Sequence, residues 1–291
     1  MGFKLWPDDD VKVQKLRIGK IPTLVLRPAK IAEIPVAVLW IHGGGYILGM
    51  KEMVYMSRAV DLVKNYGVTV FSPGYRLAWQ KPYPAAVSDC YKVLRYINRC
   101  RGGHTDDQAA ENRARLRSNQ AAESLGNLKF DKVVVGGESA GGGLAAAVCM
   151  MARDRGIHVD YQMPLYPMIS NIDTDSSRNN HGKIWNTRRN HFGWRLYLRS
   201  EAGKTVSPYA APAQQNDYTG LPPCYTFVGR GEPFYRETLD YVSALKAAGV
   251  EAEVDVYPSN VHAFDMLRPE DAVSKEAIRK FNQHFQKVLE I

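Results

Sequence analysis

The run of this 291-residue chain with the clearest chemical potential is Gly136-Gly137-Glu138-Ser139-Ala140-Gly141-Gly142-Gly143. It follows the β-branched Val133-Val134-Val135 and precedes the helix-prone Leu144-Ala145-Ala146-Ala147. A strand that passes through a single serine into a helix must turn sharply at that serine. The turn lifts the hydroxyl out at the strand's C-terminal edge, beside a helix N-terminus. Gly137 and Gly141 suit it, because a β-carbon at either position would meet the neighbouring strand or helix. Ser139 is therefore the expected nucleophile. Two other readings compete. One is a glycine-rich packing turn without chemistry. The other is a nucleotide site, since Gly141–Ala146 formally fits G-x-G-x-x-A. The strand is expected to end near Gly136, which puts the first glycine of that pattern inside the helix, and no Gly-Lys-Ser/Thr follows for a Walker loop.

A serine that attacks a carbonyl needs a base, a group that orients the base, and donors for the oxyanion. The donors are expected in Ile41-His42-Gly43-Gly44-Gly45-Tyr46, which follows the apolar run Val36–Ile41. That run reads as a buried parallel strand, and glycines at its end leave backbone N–H groups unblocked. The N–H groups of Gly43, Gly44 and Ala140 are the candidates to converge on one oxygen. Of the seven histidines, His104, His158 and His181 lie in polar stretches, His284 on a terminal amphipathic helix, and His42 in the glycine loop. His191 sits among aromatics and arginines. His262 alone follows a clear strand, Ala252–Tyr257, and a Pro258-Ser259-Asn260 turn, and it is the expected base. Glu232, in Gly229-Arg230-Gly231-Glu232-Pro233 directly after the apolar Tyr225–Val228, is the expected orienting acid. Glu237 and Asp240 fall on the next helix and read as solvated. The chain order Ser, acid, His is the one expected for such a sheet.

These motifs resemble the hormone-sensitive-lipase-like branch of the α/β-hydrolase esterases. The resemblance is carried by His42-Gly43-Gly44-Gly45, Gly137-Glu138-Ser139-Ala140-Gly141-Gly142, Tyr75-Arg76-Leu77-Ala78, Tyr83-Pro84-Ala85-Ala86 with Asp89, and His262-Ala263-Phe264. It runs from about residue 30 to the C-terminus. It implies a serine carboxylesterase that hydrolyses small, short-acyl esters through an acyl-enzyme, with Ser139, Glu232 and His262 as triad and Gly43, Gly44 and Ala140 as oxyanion donors. Two departures stand out. Most members have Asp where this chain has Glu232, and often Asp where it has Gly74. Some relatives lose the histidine and bind a small molecule under the cap, so a non-catalytic receptor is the rival reading. An acyltransferase or peptidase would use the same triad.

The scaffold that carries these residues is also legible. Apolar strands near 35–41, 68–72, 132–136, 160–165, 224–229 and 252–257 alternate with helical stretches, which predicts a mostly parallel, helix-covered sheet of about eight strands. Val11–Ile18 and Thr23–Arg27 read as antiparallel edge strands. Residues 1–291 form a single catalytic domain in this reading. Residues 170–205, with Trp185, Phe192, Trp194 and Tyr197 among four arginines, are expected to form a small helical cap, to which the N-terminal segment can contribute. Most of its rings are expected to anchor it, and its arginines to be solvated. Residues 101–127 are polar and read as a solvated extension.

A net charge of +8 is modest for this length, and no basic stripe or nucleic-acid module accompanies it. The four cysteines (Cys90, Cys100, Cys149, Cys224) lack C-x-x-C or Cys/His ligand spacing, which predicts free thiols, no metal and no cofactor. Met1–Asp10 has no apolar signal core, and glycines break the most apolar stretch, around 133–151, so no membrane span is expected. The expected partner is a small-molecule ester, the expected location the cytoplasm, and a homo-oligomer is left open.

Overall fold

The computed structural model describes residues 9–101 and 128–290. Eight strands form one sheet in the order β1-β2-β4-β3-β5-β6-β7-β8. They are β1 (Val11–Ile18), β2 (Ile21–Pro28), β3 (Val36–Ile41), β4 (Thr69–Pro73), β5 (Lys132–Glu138), β6 (Tyr161–Leu165), β7 (Cys224–Gly229) and β8 (Ala252–Tyr257). From β4 through β8 every pairing is parallel, whereas β1 and β2 pair antiparallel and β2 also meets β4 antiparallel. β2 is thus not an edge strand as the sequence suggested. Its residues Leu24, Val25 and Leu26 are all fully buried, and only β1 and β8 end the sheet.

The central strands are buried on both faces, so they carry continuous apolar runs rather than alternation. Val36–Ile41 is the clearest, every residue being buried. Helices cover the two faces: α1 (Arg58–Tyr66), α2 (Ala85–Arg99), α3 (Ala140–Arg153), α4 (Thr187–Tyr197), α5 (Tyr235–Ala247), the single-turn α6 (Phe264–Leu267) and α7 (Ala272–Glu290). One apolar cluster joins α2 and α3 to one face of the sheet through Leu94, Leu144 and Val148. A second joins α1 and α7 to the other through Leu62, Val63, Phe281 and Phe285. Amphipathic helices on both sides of a parallel sheet leave its C-terminal edge open for loops, and in this architecture ligands bind at that edge.

β5 runs two residues further than the sequence suggested. Gly136 and Gly137 pair with Trp40 and Ile41 on one side and with Met163 and Pro164 on the other. Trp40 fills the volume a side chain at Gly136 would need, since a β-carbon there would lie 2.5 Å from the indole Cζ3. Gly141 stands inside α3 all the same. The expected polar extension, and any contribution of residues 1–8 to a cap, lie outside the described residues.

Candidate active site

Ser139 joins β5 to α3 with φ 57° and ψ −121°, a conformation that costs a non-glycine residue on the order of 1–3 kcal/mol and persists only when the surroundings enforce it. Here they do. The Ser139 N–H donates to Leu165 O and its carbonyl accepts from Gly143 N and Met168 N, all at 2.9–3.0 Å. The turn can be this tight because β-carbons are missing on both flanks. One on Gly141 would stand 2.0 Å from Ile41 O, and one on Gly137 would stand 2.4 Å from the same oxygen.

β7 ends at Gly229, and the next turn carries Glu232, whose Oε1 accepts from Gly229 N at 2.6 Å. β8 ends at Tyr257, and its turn carries His262. The three parallel strands therefore deliver Ser139, Glu232 and His262 to one sheet edge. The imidazole Nδ1–H donates to Glu232 Oε2, which leaves Nε2 as the acceptor for the Ser139 hydroxyl at 2.9 Å. Ser139 and His262 are each 6% exposed, and Glu232 is fully buried. The ring is flanked edge-to-face by Tyr166, 5.2 Å between centroids, and by Phe234, 5.0 Å. Neither aromatic carries a local sequence signal for this contact, because each comes from a different loop. Tyr166 OH in turn donates to Asp265 at 2.9 Å, and Asp265 is buried 3.1 Å from Arg58 Nε.

The loop after β3 lies against the same turn. Gly43 approaches Ser139 and Glu138 closely, and Gly44 and Gly45 have φ of +118° and +59°. His42 is buried, stacked on Tyr75 with 4.2 Å between centroids, and its Nδ1 donates to Gly43 O at 2.9 Å. Burial pulls its pKa down to about 4, so it is a neutral brace of the loop. Among the described residues, His158 lies beside Asp160, His191 beside Asp173, and His284 is stacked on Tyr225.

One expectation is corrected. Glu237 is not solvated but 2% exposed, and its Oε1 accepts from Ile169 N and Ser170 N at 2.7 and 3.1 Å. Burial raises its pKa to about 8, with Glu232 adding to the rise. Asp265, just after the histidine in the chain, belongs to the buried pair with Arg58. Asp240, by contrast, is exposed and paired with Arg236.

Residues 170–205 hold α4 against the glycine loop. Trp185, Trp194 and Tyr197 are buried, whereas Phe192 is 45% exposed. Tyr46 stacks on Tyr197 at 4.1 Å, and Trp185 packs on Gly45. Ser176 Oγ donates to Pro233 O, and Asn180 Nδ2 donates to Gly231 O, tying this segment to the Glu232 turn. Arg188, Arg189, Arg195 and Arg199 are exposed. Cys90, Cys149 and Cys224 are buried free thiols. Among the described residues no helix is long and apolar enough to cross a membrane, and no group of three or more His, Cys, Asp or Glu could hold a metal ion.

An eight-stranded, mostly parallel sheet that brings a serine at a strand-to-helix turn, a histidine and a glutamate to its C-terminal edge defines an α/β-hydrolase architecture. Residues 38–266 match the alpha/beta hydrolase fold family, and the chain belongs to it, in its hormone-sensitive-lipase-like branch. A carboxylic ester hydrolase LipN of Mycobacterium tuberculosis is 28% identical over 253 residues, which cover 84% of this chain and 61% of that protein. An arylesterase of Saccharolobus solfataricus is 28% identical over 258 residues, 88% of this chain and 76% of its own length. Among solved structures, a bacterial heroin esterase superposes with a TM-score of 0.79 at 31% identity, covering 94% of this chain and 82% of its own.

Proposed function

We propose that the protein is a serine carboxylesterase acting on small, short-acyl carboxylic esters, with Ser139 as nucleophile, His262 as base and Glu232 as orienting acid. The observation that carries this reading is the unbroken hydrogen-bonded series Glu232–His262–Ser139 at the sheet edge. Relatives named as ester hydrolases support the substrate class. In this reading His262 takes the Ser139 proton as Oγ attacks the carbonyl carbon, and Glu232 fixes the tautomer and stabilises the imidazolium. The N–H groups of Gly43, Gly44 and Ala140 hold the tetrahedral oxyanion. His262 then protonates the departing alcohol, and water repeats the sequence to release the acid and regenerate Ser139.

Residues 170–205 act as a cap on one catalytic domain, a role supported by their ties to both the glycine loop and the Glu232 turn. A small ester is the partner, with no role for nucleic acid. The buried free thiols Cys90, Cys149 and Cys224 accord with a reducing, cytoplasmic location. The test is an ester series from acetyl to decanoyl, run on the wild type beside Ser139→Ala. Turnover that declines with acyl length and vanishes in Ser139→Ala is expected. Equal turnover by both proteins excludes Ser139 as nucleophile, and ester binding without turnover by the wild type favours a receptor.

A further inference from the structure

The turn that presents Ser139 is fastened to the segment that follows β6. Ser139 N donates to Leu165 O and Ser139 O accepts from Met168 N, both at 3.0 Å. The same segment is held from two further directions. Tyr46, at the end of the glycine loop, donates its hydroxyl to Met168 O at 2.6 Å. Glu237, on the helix that follows the Glu232 turn, receives the next two amides, Ile169 N and Ser170 N. Residues 165–170 thus touch the nucleophile's turn, the glycine loop and the helix behind the acid.

Resting on the reading of Ser139 as nucleophile, we propose that Glu237 and Tyr46 are positioning residues that set the Ser139 oxygen and the glycine loop in register through their shared hold on Met168–Ser170. Both side chains suit the task. Tyr46 takes φ 65° and is fully packed against Tyr197 and Trp194, so its hydroxyl has little freedom. Glu237 is buried, and its Oε2 has no hydrogen-bond partner among the described residues. A buried carboxylate so placed would be costly, whereas a neutral carboxylic acid presents Oε1 to the two amides without a net charge. A glutamine presents the same acceptor, so the conservative variant distinguishes positioning from charge.

The experiment compares Glu237→Gln, Glu237→Ala and Tyr46→Phe with the wild type and Ser139→Ala, using an acetyl ester at pH 7. Misplacing a catalytic group by about 1 Å typically costs about a hundredfold. Glu237→Ala is therefore expected to lose about that factor in kcat with KM changed by less than about threefold. Glu237→Gln should recover most of the rate. Tyr46→Phe, which keeps the ring stack, should lose about tenfold in kcat. The double variant should lose less than the product of the single losses, because both act through one segment. Wild-type kcat in Glu237→Ala, or a loss in Glu237→Gln as deep as in Glu237→Ala, overturns the proposal. If Glu237→Ala fails to fold, an unchanged kcat in Tyr46→Phe overturns it instead. Activity retained by Ser139→Ala marks failure of the esterase reading itself. Inactive Ser139→Ala beside fully active Glu237→Ala marks failure of this proposal alone.

Discussion

A β-carbon on Gly43 would stand 3.3 Å from Cβ of Ser139 and 2.9 Å from the carbonyl oxygen of Glu138. The glycine loop therefore packs directly on the serine turn, against the Glu138 carbonyl and the Ser139 Cβ. Both walls are fixed, the loop by β3 and the turn by its bonds to Leu165 and Met168, so a methyl group has to drive them apart. Gly43→Ala is expected to reduce kcat by about a hundredfold while the protein still melts cooperatively. Wild-type kcat in a folded Gly43→Ala protein would show that the loop has no part in the reaction.

Glu138 is buried next to Ser139 and accepts from Trp40 Nε1 at 2.8 Å. Burial pushes its carboxyl up to about 8 from 4.5, with Trp40 opposing the rise and Asp265 adding to it. Between those values the folded chain keeps a proton that the unfolded chain has released. This contribution to stability is whole below about 4.5 and is lost as pH rises through about 8. Glu138→Gln removes the titration. Its Tm relative to the wild type is expected to climb, on the order of 5 °C, between about pH 5 and pH 8. A Tm difference that does not change with pH would contradict this.

His42 behaves in the opposite sense. Its folded-state pKa is depressed by burial to about 4 from 6.5, although Gly43 and Glu52 pull upward. Its contribution is present above about 6.5 and is lost as pH falls through about 4. Differential scanning fluorimetry should show the wild type losing Tm across that interval and His42→Gln losing visibly less. Parallel acid profiles for the two proteins would assign the acid sensitivity to other groups.

The fold and the site are legible in the sequence where local pattern sets the structure. The β-branched and apolar runs became strands within a residue or two, because strands buried on both faces need continuous apolar sequence. Ser139, Glu232 and His262 were recognisable because each sits just past such a strand. Glu237 was misread because a polar helix face looks solvated until the chain that packs on it is known, and Ile169–Ser170 is 67 residues away or more. Tyr166, Phe234 and the Arg58–Asp265 pair were missed for the same reason. Their roles exist only in tertiary contact, and nothing in their immediate neighbours announces it.

Trp185 offers a handle on acyl length. Its indole packs on Gly45, where a β-carbon would meet Cη2 at 2.0 Å, and its Nε1 donates to Asn190 Oδ1. The ring is thus wedged beside the glycine loop rather than free to swing. Trp185→Ala is expected to raise the decanoyl-to-acetyl ratio of kcat/KM by about tenfold, since roughly 1–3 kcal/mol accompanies a change of pocket volume by even one methylene. An unchanged ratio would place the acyl chain elsewhere.

An acyl-enzyme requires a covalent bond at Ser139 Oγ. Rapid acid quench of the wild type during turnover of a short-acyl aryl ester, followed by intact-protein and peptide mass spectrometry, reads that bond directly. A species heavier by one acyl group is expected, with the addition mapped to the peptide at Ser139 and absent from Ser139→Ala. An acyl group found on another residue, or full turnover by Ser139→Ala, would contradict it.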